Sequence, residues 1–296
     1  YEMVLKSGDM ERCMHDFAYH LEEPRVGQSY PNYYAAKLAS KFVKVVLSGV
    51  GGDELFAGYP WRYYRAVNNG NYDDYIDKYY SFWKRLIDNK DINKVFGPIA
   101  NDVSNVWTRD IFSNVFKTPV KNQTPEEYIN HSLYFEAKTF LHGLLVVEDK
   151  LSMAHSLETR VPFLDNDLVD FAQKIPVKFK LSNLSKVVKM DENEIGKLQK
   201  TNDGKLILRK SMSKHIPENI HKAVKQGFSG PDNSWFKGES IEFVGEKLLD
   251  SNAKIYQYMD KKSTQKLINQ HLSGEQNRRL FIWSLLNFEE WSDIYG

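Results

Sequence analysis

The segment Val45-Val46-Leu47-Ser48-Gly49-Val50-Gly51-Gly52-Asp53-Glu54-Leu55 constrains the fold of this chain more than any other, because a β-branched run drives into a glycine-rich turn that ends on an acidic pair. Val45 to Leu47 predict a short buried strand. Glycines at 49, 51 and 52 remove Cβ atoms from the turn, so backbone N–H groups can crowd round an anion. Asp53 and Glu54 then open a helix, where negative charge suits the positive end of the helix dipole. Beside a phosphate these carboxylates would repel it unless a divalent cation sits between them, so the turn predicts a metal-bridged polyphosphate. The third glycine of a dinucleotide fingerprint is missing, and no Lys-Ser or Lys-Thr follows to make a P-loop. Taken alone, the pattern is also compatible with a tight strand-to-helix turn that holds no ligand.

The rest of the chain places that turn in a large, mostly helical protein. Its 296 residues, 42% of them hydrophobic and 14% aromatic, are enough for a sizeable core in one or two domains. Forty basic against thirty-nine acidic residues leave a net charge of +1, which calls for neither nucleic acid nor an anionic membrane. Lys205, Arg209, Lys210 and Lys214 read as a solvated helix face, apart from any that reaches a ligand. The single cysteine, Cys13, excludes an internal disulfide framework, fits a reducing cytoplasm and reads as a buried or idle thiol. No apolar run approaches the ~20 residues that cross a bilayer, and the chain is expected in the cytoplasm. The eight histidines show no metal-binding spacing.

Periodicity and capping signals predict helices over Met10–Leu21 and Asn32–Phe42, the second leading into the strand region that begins at Val43. Helix, strand, turn and helix in that order make one unit of a parallel α/β sheet, in which ligands bind at the carboxyl ends of the strands. Between Trp61 and Gln123 the aromatics Tyr63, Tyr64, Tyr75, Tyr79 and Phe82 fall at mixed spacings and read as packing rather than as a stacking platform. Thr124-Pro125-Glu126-Glu127 is a capping box that starts a helix running to about Val147. Further helices are expected at Leu168–Ile175, near Lys205, near Glu218 and at Asn277–Trp291, with an exposed loop at Lys225–Ser234. After Leu47 no long β-branched run recurs, and the remainder is expected to be mostly helical.

A second segment narrows the reading of the first: Glu148-Asp149-Lys150-Leu151-Ser152-Met153-Ala154-His155-Ser156-Leu157-Glu158-Thr159-Arg160-Val161-Pro162-Phe163-Leu164-Asp165. A third runs Lys205-Leu206-Ile207-Leu208-Arg209-Lys210, then Ile216-Pro217, then Lys225-Gln226-Gly227-Phe228-Ser229-Gly230-Pro231. In this order the three stretches resemble the synthetase domain of the glutamine-dependent asparagine synthetase family, with its "LSGxGxDExFxGY" turn, its "DKxSMAxSLExRxPFLD" stretch and its "KxxLRK…IP…K-x-GF-xxP" tail. The resemblance implies an α/β fold with a large helical share: an adenine-nucleotide α-hydrolase-like parallel sheet, incomplete here, followed by a mostly helical region. It also implies an ATP-dependent amide-forming ligase, in which a carboxylate is adenylated by Mg²⁺-ATP and then attacked by ammonia. The partners are a small-molecule carboxylate, aspartate first among candidates, and glutamine or ammonia as nitrogen donor. A homodimer is left open; nucleic acid and membrane are not expected.

By the same resemblance, Asp53 matches the family's metal- and pyrophosphate-side acid. Ser48, Gly49, Gly51 and Gly52 form the turn whose backbone lies close to the nucleotide, and Lys225 matches the lysine that stabilises charge developing at the phosphate. Glu54 is as well explained by a helix start. With Lys225, Glu158 and Arg160 are the candidate catalytic residues: the pair precedes Val161-Pro162, where proline forces extended backbone and can turn side chains into a cleft. A buried ion-pair network that anchors the helical layer is the alternative for this pair, and for Asp149 and Lys150. Asp165 is expected to cap the helix that follows.

Two departures bear on activity. Position 50 is valine, where asparagine synthetases carry an acidic residue and a β-lactam-forming branch carries tyrosine; valine neither accepts a proton nor binds a substrate ammonium. The family's upstream Ser-Gly-Gly-x-Asp-Ser pyrophosphate loop occurs nowhere in the sequence, only 47 residues precede Ser48, and the chain begins at Tyr1. The expectation is therefore residues 1–296 as a synthetase domain without its pyrophosphate-loop segment and without a glutaminase domain, inactive when isolated. The alternative is a non-catalytic remnant or nucleotide-binding module that keeps the fold.

Overall fold

A computed structural model describes residues 1–6, 8–27, 29–67, 71–84, 86–116, 124–187, 203–224 and 239–296. In chain order the first half comprises α1 (Asp9–Leu21), α2 (Tyr30–Ala39), β1 (Val45–Leu47), α3 (Gly52–Leu55), α4 (Pro60–Ala66), α5 (Tyr72–Trp83), α6 (Asn89–Val95), α7 (Thr108–Ser113) and α8 (Pro125–Phe135). Then follow a π-helical turn at Glu136–Phe140, α9 (Leu141–Met153), β2 (Glu158–Arg160) and α10 (Asn166–Lys174). The later helices include Leu206–Met212, Glu218–His221, Glu239–Leu248, Lys261–Leu272 and Arg279–Tyr295. This is an α/β chain with a large helical share, as expected. Among the described residues no helix is long and apolar enough to cross a membrane.

Helix α1 forms because Met10, Cys13, Met14, Phe17 and Leu21 fall on one face, and all five are buried. Phe17 meets the Trp283 ring edge-on at 5.3 Å, and the Trp283 indole N–H donates to the Arg25 carbonyl at 3.0 Å. Helices α1, α2, α9 and Arg279–Tyr295 thus share one core, which also encloses Cys13; burial pushes its thiol up to about 12. A second core is aromatic: Tyr63, Tyr64, Tyr75 and Tyr79 are fully buried, with Tyr75 stacked on Tyr128 at 4.7 Å. The aromatics of the region after Trp61 are packing, as their spacing suggested. A third, small core joins Leu55 and Phe56 to Ala172 and Ile175 of α10.

One element goes beyond the sequence reading, and two expectations need correction. The sheet has a second strand: β2 pairs parallel with β1, Val45 opposite Glu158 and Leu47 opposite Arg160. Glu-Thr-Arg carries no strand signal of its own, and its conformation is set by pairing with a distant partner. Next, β1 is not buried. Val45 and Leu47 are exposed, Leu47 by 74%, because no described element covers the face that carries them. Finally, the helix capped by Thr124 does not stop at Val147; it continues through the π-helical turn to Met153. The capping box itself is present, with Thr124 and Glu127 bonding reciprocally.

Candidate functional site

The first two motifs meet in space. The Ser48 N–H donates to the Arg160 carbonyl at 2.8 Å, extending the β1–β2 ladder by one residue, and the Ser48 hydroxyl accepts from the Val50 N–H at 3.3 Å. Gly51 sits at φ 95°, and a Cβ there would lie 2.5 Å from Leu164 Cδ2; at Gly52 it would lie 3.3 Å from the Phe163 ring. The glycines at 51 and 52 therefore make room for Phe163-Leu164. At Gly49 a Cβ would meet nothing within 4 Å, so this stretch of backbone is the one open to a ligand. Gly58 makes room in the same way for Asp53, whose carboxylate a Cβ at 58 would overlap, and its N–H donates to the Asp53 carbonyl at 2.7 Å.

The Asp53 carboxylate, on the first turn of α3 beyond the carboxyl end of β1, is largely buried and lies 2.8 Å from Lys205 Nζ. Lys205 is thus no solvated lysine. Its neighbour Arg209 is also engaged, donating to the carbonyls of Gly204 at 3.1 Å and His221 at 2.8 Å, whereas Lys210 and Lys214 are exposed as expected. Both engaged side chains sit where the Leu206–Met212 helix packs against the Asp53 turn, a long-range contact with no local sequence signature.

Behind the turn lies a buried polar network that the sequence did not disclose. Glu54 accepts from the Tyr59 hydroxyl at 3.0 Å, and burial pushes its carboxyl up. Arg62 pairs with Glu136 at 2.7 Å, and its guanidinium lies 3.8 Å from the centre of the Tyr59 ring and 4.4 Å from that of Phe140. Glu136 also accepts from the Tyr79 hydroxyl at 2.9 Å; burial outweighs these partners and pushes its carboxyl up to about 7. The π-helical turn that starts at Glu136 brings this acid under α4, and such turns frequently mark functional sites.

The remaining sequence-predicted residues divide. Glu158 and Arg160 pair with each other at 2.8 Å on β2, with side chains 55% and 63% exposed, so the alternative of a buried ion-pair network does not hold for them. Successive residues of a strand point to opposite faces, which puts these two on the same uncovered face as Val45 and Leu47. Lys150 donates to the Leu21 carbonyl at 2.9 Å and to Glu22 at 2.6 Å, tying α9 to the end of α1. Asp165 caps α10 through the N–H groups of Asp167 and Leu168. Lys225 lies outside the described residues, as does the 225–234 loop.

Among the described residues, no group of three or more His, Cys, Asp or Glu is gathered to hold a metal. Mg²⁺ takes one or two protein carboxylates and completes its shell with phosphate oxygens and water. Asp53, already facing a cation in Lys205, has the chemistry for one such ligand. The family model described as Asparagine synthase matches residues 1–293, nearly the whole chain. The chain belongs to the asparagine synthase family. It is similar to asparagine synthetase [glutamine-hydrolyzing] 1 of Bacillus subtilis, 28% identical over 93% of this chain and 44% of the relative. Asparagine synthetase [glutamine-hydrolyzing] 3 of the same organism is 27% identical over 75% of this chain and 35% of the relative. An amidase of Penicillium rubens, chyE, is 21% identical over 76% of this chain and 38% of its own length. The asparagine synthase-family chain described here thus spans less than half the length of these relatives. Within it, Leu164 and Phe163 of the second motif pack on Gly51 and Gly52 of the first, and Lys205 of the third pairs with Asp53 of the same turn.

Proposed function

We propose that this chain is the later part of a synthetase domain and that its parent protein is an ATP-dependent, amide-forming ligase acting in the cytoplasm. The observation that carries this reading is the Asp53 carboxylate, held beyond the carboxyl end of β1, facing a cation and adjoining the open backbone at Gly49. A substrate carboxylate oxygen attacks the α-phosphorus of ATP, the α–β anhydride bond breaks and pyrophosphate leaves. Ammonia, free or released from glutamine, then attacks the activated carbonyl, AMP departs and the nitrogen loses a proton to leave an amide. Mg²⁺ held by Asp53 would neutralise charge on the phosphates. The Ser48 N–H is spent on Arg160, so Ser48 offers its hydroxyl, and Gly49 offers its backbone. Gly51 and Gly52 shape the turn from below, through Phe163 and Leu164. By resemblance, Lys225 stabilises charge at the phosphate, and Lys225→Ala is expected to lower kcat more than nucleotide affinity.

Aspartate is the first acceptor to test, and Val50 widens the panel to sugar and peptide carboxylates, because valine has no group to bind the ammonium of an amino-acid substrate. The test is carboxylate-dependent pyrophosphate release by the full-length protein. Release is expected with at least one acceptor and should fall about 10²-fold or more in Asp53→Asn, the scale of losing one preorganised charge-stabilising group. ATP binding with no release for any acceptor would favour the second reading, a nucleotide-binding module without turnover, to which Val50 also points.

A further inference from the structure

We infer that Asp203 is a positioning residue of the Asp53 site, fixing Lys205 as a built-in cation partner of the Asp53 carboxylate. Asp203 is buried, 4% exposed, and its two oxygens gather donors from three directions. Oδ1 accepts from the Ser182 N–H at 2.7 Å, the Ser182 hydroxyl at 3.0 Å and the Gly204 N–H at 2.9 Å. Oδ2 accepts from the Asn183 side-chain amide at 3.1 Å and from the hydroxyl of Tyr64, a residue of the aromatic core. A carboxylate so engaged is rigid, and what it holds rigid is the start of the Leu206–Met212 helix.

The next two residues carry that rigidity to the site. Gly204 has φ 91°, and a Cβ there would stand 2.5 Å from the Ala57 carbonyl oxygen, so the turn is pressed directly against the loop that follows α3. Lys205 donates its N–H to the Phe56 carbonyl at 2.8 Å and has φ 54°, a left-handed conformation that costs a non-glycine residue energy and persists only where its surroundings impose it. Arg209 braces the same turn through the Gly204 carbonyl. The outcome of this over-determined backbone is the ammonium of Lys205 placed 2.8 Å from Asp53 Oδ1. Asp203 itself is remote from Asp53 in sequence and acts on it only through Lys205.

The inference rests on reading the Asp53 turn as the ligand site, but its test contains no ligand. Unfolding equilibria of this chain would be measured for Asp53→Asn, Lys205→Met and the double variant, in the native and the Asp203→Asn backgrounds. Coupling between positions 53 and 205 is expected to be about fivefold in the unfolding constant with Asp203 present and to vanish in Asp203→Asn. Undiminished coupling in Asp203→Asn would overturn the inference and reduce Asp203 to a local turn cap. Should Asp203→Asn fail to fold, Tyr64→Phe and Ser182→Ala each remove one donor to Asp203. Labelling of the Lys205 amine by an acetylating ester, read by mass spectrometry, should then rise in both, as it should in Asp53→Asn; unchanged labelling in both would overturn the inference. Failure of ATP to bind the full-length protein would count against the adenylation reading and leave these outcomes as they are.

Discussion

At Gly51 one methyl group decides whether the first two motifs can meet. The residue combines φ 95° with a Leu164 side chain lying where a Cβ would go, so Gly51→Ala adds backbone strain to overpacking. A loss of about 2–4 kcal/mol in unfolding free energy is expected from urea denaturation. Gly49→Ala meets open space and should change stability by less than about 0.5 kcal/mol, while weakening nucleotide binding by the full-length protein. Similar stability losses at both positions would contradict this division of labour. The sequence showed that glycines were needed in this turn but not for what: the reason for two of them lies in Phe163 and Leu164, more than a hundred residues away. The same holds for Asp53 and Lys205, whose pairing depends on how the Leu206–Met212 helix docks.

Among the elements, the π-helical turn between α8 and α9 carries the most consequential ionisable group. Glu136 has an ordinary value of 4.5, and burial pushes it up to about 7 in the folded chain. The native state therefore holds this proton longer than the unfolded state. The associated stability is complete below the unfolded value and is lost as pH rises towards 7. Glu136→Gln removes this titration while keeping an oxygen for Arg62 and Tyr79 to reach. Between about pH 5 and about pH 7.5 the urea midpoint of the wild type should fall more than that of the variant. Parallel falls would show that Glu136 does not titrate in this window.

Elements with local signals were legible in advance: α1 by its apolar stripe, α8 by its capping box, and β1 at Val45–Leu47. Those without one were not. Strand β2 exists by virtue of its pairing with β1, and the π-helical turn looks in sequence like uninterrupted helix.

On the scale of the molecule, the described residues form two large helical cores and a two-stranded sheet, one face of which carries Val45 and Leu47 uncovered. An exposed strand with apolar side chains invites pairing with another chain, so this chain by itself is expected to self-associate. Leu47→Lys should shift sedimentation towards the monomer; an unchanged distribution would place any association elsewhere. That the turn carrying Asp53, where the three motifs meet, binds Mg²⁺-ATP is the central claim, and calorimetric titration of Mg²⁺-ATP into the full-length protein tests it most directly. Asp53→Asn is expected to weaken binding about tenfold or more, or at least 1.4 kcal/mol. Equal affinity in the wild type and Asp53→Asn would contradict the account.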